Sequence, residues 1–355
     1  MTDLAERAPA SFDAGAVDVP TAVVDLAAFA HGVAGVGRFL DAEGEAELAA
    51  ARAAGLAERL VVRHGVPRGA APSGRIVVGS AEALRALERA AAVCHPVEVV
   101  LHAGEPGRGT GGFDPERPGL VEALRTVLAS PRLSFGGLYL RTPGESADVL
   151  RACRAGVEVA SALPQRLPGF AVRTLLVRRE GTSGSPVDAA ALAELARREV
   201  RLHSAALGSV APHLYVDAGP DSAPLCHEVS HRVVATSASA VVLDAAADTL
   251  AGSCPAGVAR VTPLGRTGVS VAPVVPPAER LVTRELTTAD GRLIVAGLRV
   301  PAGTRPGDVL TVPLIGRTLL AVPSRYRLVT LDGAELLAGL AVRPSAHPQL
   351  PRRVG

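Results

Sequence analysis

The chain has 355 residues, of which 48% are hydrophobic and 20% are charged, so it is long enough to bury two cores. Its formal charge of +2 comes from 37 basic and 35 acidic residues scattered along the chain, without a basic cluster interleaved with aromatic residues. This pattern argues against a nucleic-acid partner, and no apolar run approaches the ~20 residues of a membrane span. The acidic, alanine-rich opening residues predict no secretory signal and a cytoplasmic location.

The first half of the chain alternates short β-branched runs with segments of helical period. The predicted strands are 21–26, 59–64, 75–80, 97–103, 135–140, 171–177 and 200–207, and the predicted helices include 81–93, 118–130 and 186–199. Strand followed by helix, repeated, is typical of a parallel sheet covered by helices. The pattern predicts an α/β fold over residues 18–215, with a (β/α)₈ TIM barrel as the expected architecture.

After about residue 215 the strands become short and are separated by Gly, Pro and Asp, with almost no helical segment. This texture predicts a C-terminal antiparallel β domain over residues 216–355. Its first segment contains His227, Glu228 and His231 in the spacing H-E-x-x-H of the zinc proteases. That signature needs a helix, where residues four apart lie about 6 Å apart, whereas β-branched residues here favour a strand with a spacing of about 13 Å. We therefore expect no metal site at these histidines.

Several segments resemble, in order, the fold-type III pyridoxal phosphate (PLP) enzymes, which have an alanine racemase-like barrel. The resemblance is to the branch that holds D-threonine aldolase and D-serine dehydratase. The segments are VPTAVVDLAAF, RIVVGSAEALRAL, VEVVLHAGEPGRGTGGFDPE, PRLSFGGLYL, PHLYVDAGP and GDVLTVPLIGRTLLAVPSRYRLVTLDG. The resemblance implies the same two-domain fold, amino-acid lyase or racemase chemistry, and a site completed across a dimer.

The sequence departs from that family at the residues that carry its chemistry. The family forms an internal aldimine with a lysine at the end of the second barrel strand, which falls here near Val66 or Pro67. All 37 basic residues are arginine, so the chain contains no lysine. Because a guanidinium does not form a Schiff base, we expect no covalent PLP catalysis. The family's metal-ligand segment corresponds to residues 312–322, which contain no His, Cys, Asp or Glu.

Some cofactor-side features are retained under the same resemblance. A loop that would hold a phosphate through its backbone amides corresponds to Gly181, Thr182, Ser183, Gly184 and Ser185. The other interpretation of that loop is an ordinary helix cap before Pro186.

Three further residues are matched to the cofactor by the resemblance. Arg108 matches an arginine at the PLP phenolic oxygen, although a generic Gly/Arg loop fits the letters equally well. Arg141 replaces a tyrosine near the cofactor, and Tyr139 lies two residues earlier on the same face. We therefore expect non-covalent PLP or another phosphate ligand as the possible cofactor.

His64 is the strongest catalytic candidate, because it ends the second strand and barrel active sites form at the carboxyl ends of strands. It would act as a general base, with Arg63, Arg108 or Arg141 holding an anionic group of the substrate. The alternative is a histidine left over from a lost PLP site. His102, His203 and His213 take comparable places in the predicted strands.

Three hypotheses follow for function. The first is a divergent family member that acts as a pseudoenzyme or binds a small anionic, amino-acid-like metabolite. The second is a PLP-independent lyase, epimerase or transferase that uses His64 and the arginines. The third is a partner role, in a homodimer or in a heterodimer with an active, lysine-bearing paralogue.

Overall fold

A computed structural model describes residues 21–35, 37–42, 44–65, 72–93, 95–104, 111–180, 188–219, 225–244, 254–255, 260–262, 280–289, 291, 293–315, 327–330 and 335–336. The chain divides into two compact units, Ala27–Pro224 and Met1–Leu26 together with Leu225–Gly355. Each unit contains its own sheet.

The Ala27–Pro224 unit is a parallel sheet whose strands follow one another in chain order. Its seven described strands are β2 (Leu40–Ala42), β3 (Val61–His64), β4 (Arg75–Val78), β5 (Val97–His102), β6 (Leu133–Pro143), β7 (Thr174–Glu180) and β8 (His213–Asp217). Every adjacent pair is parallel. The order and direction are those of a barrel sheet built from repeated strand–helix units.

Helices follow most of these strands and cover the outside of the sheet. They are α1 (Leu26–Val33), α2 (Glu45–Ala53), α3 (Ala81–Ala90), α4 (Gly119–Ala129), α5 (Ser146–Arg166) and α6 (Ala189–Ala206). At the start of α3 the Ser80 side chain accepts a hydrogen bond from the Ala83 amide, and at the start of α6 the Asp188 side chain accepts from the amides of Ala190 and Ala191. None of the described helices combines the length and the apolar character needed to cross a membrane.

The first and last strands of the sheet approach each other and close the barrel. Arg38 forms a parallel bridge with Val216, and the Val216 amide donates to the Gly37 carbonyl at 2.8 Å. The Asp41 amide, in β2, donates to the Asp217 carboxylate at 2.9 Å. One seam between β2 and β8 is therefore held partly by a side chain.

Side chains alternate between the two faces of the barrel sheet, and each face has its own apolar core. The larger core lies between sheet and helices and includes Leu101, Leu140 and Leu175. The smaller core fills the barrel interior with Phe39, Val62, Val77, Val100, Tyr139, Leu176 and the partly buried Tyr215. Successive residues point to opposite faces, so residues two apart share the interior.

The sequence prediction of a strand at 200–207 is wrong, because those residues form the end of α6. Ala196, Val200 and Ser204 recur every four residues and are all buried, which is the period of a helix packed on one face. Val200 is the only β-branched residue of that segment, too weak a signal to define a strand. The helices predicted at 81–93, 118–130 and 186–199 are confirmed as α3, α4 and α6.

The other unit contains a second sheet in which most strand pairs are antiparallel. Its described strands are β1 (Thr21–Val24), β9 (Leu225–Thr236), β10 (Ala240–Leu243), β11 (Cys254–Pro255), β12 (Arg260–Thr262), β13 (Leu281–Thr288), β14 (Leu293–Pro301), β15 (Val309–Ile315) and β16 (Arg327–Thr330). The exceptions are parallel pairs between β1 and β16 and between β10 and β13. The predicted architecture, a barrel followed by a β domain, is confirmed.

We predict that Gly156→Val in α5 lowers the free energy of unfolding by about 1–3 kcal/mol, because an added side chain would overpack the sheet–helix core. A Cβ at Gly156 would lie 2.8 Å from Leu175 and 3.0 Å from Leu140. Denaturant unfolding followed by circular dichroism measures the change. Ala162→Val, at an exposed position of the same helix, is the matched control and should cost less than about 1 kcal/mol. Equal effects of the two substitutions would contradict the close approach of α5 to the sheet.

Candidate functional site

A layer of polar residues stands directly above the apolar layer of the barrel interior. In each barrel strand, the residue two positions after an interior apolar residue belongs to this layer. We call it the polar ring. Its members are Asp41, His64, His102, Arg141, Arg178 and Asp217, and Gly79 takes the corresponding place directly after β4. The ring lies toward the carboxyl ends of the strands, where barrel enzymes form their active sites.

Asp41 is the centre of the polar ring. Its side chain is fully buried, and its Oδ1 lies 2.6 Å from Nε2 of His64. Its Oδ2 accepts a hydrogen bond from the Tyr139 hydroxyl and lies 3.0 Å from Nη1 of Arg178. One carboxylate on β2 is thus contacted from β3, β6 and β7.

These contacts keep Asp41 ionised. Burial alone would raise the pKa of Asp41, but the hydrogen bond from His64 and the positive charge of Arg178 act in the opposite direction. Together with the Tyr139 hydroxyl they outweigh burial, and the pKa of Asp41 lies well below its usual range. Tyr139 responds in the opposite sense: burial, and then the Asp41 charge, raise the pKa of its hydroxyl well above the usual value. Tyr139 therefore stays protonated and donates.

The ionised Asp41 fixes the tautomer of His64. A carboxylate only accepts hydrogen bonds, so Nε2 of His64 carries the hydrogen when the imidazole is neutral. Nδ1 then has the free lone pair that can take a proton. The His64 side chain is 29% exposed, while Asp41 behind it has no exposed surface. A partly accessible imidazole backed by a buried carboxylate is the arrangement of a general base.

Asp217 and Arg141 are the remaining charged members of the polar ring, and Arg178 makes one more contact with Asp41. Arg178 also donates to the Asp41 carbonyl at 3.3 Å, and the Asp217 carboxylate accepts from the amides of Asp41 and Gly219. Arg141 forms an ion pair with Glu180, the last residue of β7. Both ring arginines therefore already have carboxylate partners.

The structure brings together only some of the residues predicted for the site. His64 and Arg141 lie in the polar ring, and Tyr139 lies just below it on the same face of β6. Arg63 alternates with Val62 and His64, so it faces away from the barrel interior. Arg108 and the loop Gly181, Thr182, Ser183, Gly184 and Ser185 lie outside the described residues.

The other histidines are separated from one another. His102 lies in the polar ring at the end of β5. His203 was expected on a strand, but it lies on α6, where its Nε2 is 3.1 Å from Glu158. His213 is the first residue of β8 and is exposed, which puts it at the opposite end of that strand from the ring.

The segment with the H-E-x-x-H spacing is a strand, as predicted. His227, Glu228 and His231 all lie within β9, which pairs with β1 and β15. The four strand steps between the histidines span about 13 Å, too far for one zinc ion. His231 is buried, with its Nδ1 3.1 Å from the Asp244 carboxylate, which gives this histidine a structural partner.

Three residues of the polar ring, Asp41, Arg178 and Asp217, were not predicted from the sequence. Each follows a short apolar run, in RFLDA, LLVRR and LYVDA, and each comes two residues after an interior aromatic or leucine residue. A charge at that position of a buried strand was the available signal. It was overlooked at Asp41 because β2 has only three residues, too few to define a strand from sequence.

We predict that Asp41→Asn lowers the free energy of unfolding by about 3 kcal/mol near neutral pH, because it removes the buried negative charge that pairs with Arg178 and His64. The depressed pKa of Asp41 means that the stabilisation is present above the unfolded-state value of about 4 and is lost as pH falls below it. Denaturant unfolding at pH 6.5 and pH 3 should therefore show a smaller difference between the two proteins at low pH. Asp114→Asn removes an exposed carboxylate and is the control. It should change the free energy of unfolding only slightly at either pH. A pH-independent difference for Asp41→Asn would contradict the ionised state.

Comparisons with known proteins find likeness in structure and not in sequence. No family model matches the sequence, and no curated protein matches it either. A diaminopimelate decarboxylase from Helicobacter pylori, crystallised with L-lysine, superposes with a TM-score of 0.57 at 12% identity, covering 88% of this chain and 91% of that one. A lysine/ornithine decarboxylase from Vibrio vulnificus, crystallised with cadaverine, gives 0.52 at 11% identity over 88% and 94%.

A diaminopimelate decarboxylase from M. jannaschii gives a TM-score of 0.54 at 12% identity and covers 82% of this chain and 73% of its own. The likeness extends over most of both chains in each comparison. At these identities it concerns the fold, which joins a helix-covered parallel barrel to a β domain. The chain therefore has the fold of the diaminopimelate and lysine/ornithine decarboxylases.

Proposed function

We propose that the polar ring is a proton-transfer site that acts on a small, amino-acid-like carboxylate without covalent PLP, in a lyase- or epimerase-type reaction. The observation that carries the proposal is the 2.6 Å contact between the buried Asp41 carboxylate and His64. It supplies a base of fixed tautomer at the end of the barrel where substrates bind. The amino-acid character of the substrate is inferred from L-lysine, the ligand named with a similar structure.

The residues present do not fit covalently bound PLP. The aldimine of the fold-type III PLP enzymes needs a side-chain amine, and the chain contains no lysine. Asp41, His64, Tyr139 and Arg178 hydrogen-bond or pair with one another in the ring, and none of them is an amine. No step of the proposed reaction passes through PLP. Non-covalent binding of PLP or another phosphate at residues 181–185 remains a separate expectation.

Asp41 supports His64 in two ways. Its hydrogen bond holds the imidazole with Nδ1 free, and its charge stabilises the imidazolium that forms when Nδ1 takes a proton. The hydrogen bond from His64, the charge of Arg178 and the Tyr139 hydroxyl together hold the pKa of Asp41 low, so Asp41 does not take that proton itself. The transferred proton therefore stays on His64 until it returns to the substrate or to a leaving group.

Charge pairing in the ring favours proton transfer over simple anion binding. Arg178 is paired with Asp41, and Arg141 with Glu180. The Arg141 and Glu180 side chains are 29% and 36% exposed, so a substrate carboxylate can compete for this arginine. It would do so against an existing partner, which makes Arg141 an orienting group rather than a strong anion site.

We predict that the protein exchanges a carbon-bound proton of its substrate with solvent. Incubation with short 2-amino, 2-hydroxy and 2-oxo acids in deuterated water, followed by proton NMR, should show loss of a Cα–H signal for at least one compound. His64→Ala should slow this exchange by roughly 100-fold or more while the fold is retained by circular dichroism. His203→Ala, on the outer helix α6, should leave it unchanged. The proposal would be overturned if none of the compounds exchanged its proton, or if His64→Ala exchanged it at the wild-type rate.

We also predict that borohydride reduction of the protein with PLP attaches no pyridoxyl group to any side chain, because no side-chain amine is present. Mass spectrometry of a proteolytic digest makes the measurement. The α-amine at the N-terminus is the only site where modification is expected. A reduced adduct on an internal residue would show that the chain forms a Schiff base by another route.

A further inference from the structure

His102 is a buried histidine that the proton-transfer step does not use. It ends β5, in register with Tyr139 on β6, and the two rings meet edge to face with centroids 5.2 Å apart. The residue is 8% exposed, and its Nε2 is buried without a hydrogen-bond partner among the residues that the structure describes. Because buried polar atoms are almost always paired, a buried ring nitrogen without a partner points to a hydrogen bond with a bound molecule.

The neighbouring backbone is built to enclose this ring. Gly112 has a φ of +83°, and a Cβ there would lie 2.5 Å from the His102 carbonyl oxygen and 2.8 Å from its Cγ. A Cβ at Gly79 would lie 3.4 Å from Nδ1. The Phe113 amide donates to the His102 carbonyl at 2.7 Å, which holds the same segment in place. Glycine at position 112 thus lets the chain pass close to the imidazole and fix its position.

The surroundings keep His102 neutral. Burial, and then the positive charge of Arg141 on β6, lower the pKa of His102 to about 4. His64 on β3 acts in the same direction, and Asp41 on β2 opposes them. At neutral pH the ring therefore has one N–H and one lone pair. A neutral imidazole can donate to an oxygen that gains charge without protonating it outright.

We propose that His102 donates its Nε2 hydrogen to the carbonyl or carboxylate oxygen next to the carbon that loses its proton. This inference rests on the proposed function, since it assigns the second partner of the same reaction. When His64 takes the proton, the electron pair of the C–H bond moves toward that oxygen, and the hydrogen bond from His102 stabilises the charge. No further reactant is needed, because His64 returns the proton. The substrate class is a small acid whose reacting carbon is attached directly to such a carbonyl or carboxylate group.

The test uses oxalate, a planar dianion that resembles the enediolate formed by such a proton loss. Nitrogen-15 NMR of the histidine rings should show His102 as a neutral Nε2–H tautomer from pH 6 to 8. Its Nε2 resonance should shift when oxalate is added to the wild-type protein. Protonation of His102 in that range, or no response to oxalate, would overturn the inference without the use of any variant.

Substitutions of His102 distinguish hydrogen-bond donation by this residue from the packing of its ring. Calorimetric titration should show oxalate binding at least about tenfold weaker in His102→Phe, which keeps a ring but loses the donor. His102→Gln keeps an N–H donor and should bind within about threefold of wild type. Equal binding by His102→Phe and wild type would overturn the inference.

The two proposals fail separately. If oxalate binds through His102 and no compound exchanges its proton, oxygen recognition stands and proton transfer does not. If exchange requires His64 and proceeds unchanged in His102→Phe, proton transfer stands and the role of His102 is overturned.

Discussion

The buried carboxylate of Asp41 is the constraint on which the barrel mouth depends. An ionised carboxylate out of contact with water is unfavourable unless charges and hydrogen-bond donors surround it. Here the donors come from three other strands, through His64, Tyr139 and Arg178. Each must stand at the right height in its strand, so one charge couples the register of β2, β3, β6 and β7. The same contacts fix the tautomer of His64. The groups that stabilise the buried carboxylate are therefore also the groups that prepare His64 to accept a proton.

Strand alternation explains why the polar ring lies where it does. Apolar residues fill the barrel interior to the level of Val62, Val100 and Leu176, and the next inward position on those strands is His64, His102 or Arg178. The barrel core therefore ends in a polar layer that rests on packed apolar side chains. The similar decarboxylases share this fold, but a fold alone does not transfer a reaction. In this chain, which contains no lysine, the polar ring is centred on a carboxylate and includes two imidazoles.

Much of the fold could be predicted from the sequence, since β-branched runs and helical periods are local signals. The strands around Val62, Val77 and Val100 and the helices α3 and α4 were found in this way. The segment 200–207 was misread because its helix is recognisable only by a buried face shared with the preceding three turns. His64 was found from its place at a strand end. Asp41 was not, because its side-chain partners lie 23 to 137 positions away in the chain and the carboxylate that holds its amide lies 176 positions away.

The seam between β2 and β8 has a consequence for how this barrel would respond to a bound molecule. The Asp41 amide is held by the Asp217 carboxylate, and its own carboxylate is held by the polar ring. The residue that closes the cylinder is thus the residue that responds to the protonation state of the base. A change in the charge on His64 therefore acts directly on the residue whose amide joins β2 to β8. The rate of hydrogen exchange at the Asp41 amide would then report on whether a molecule is bound at the polar ring.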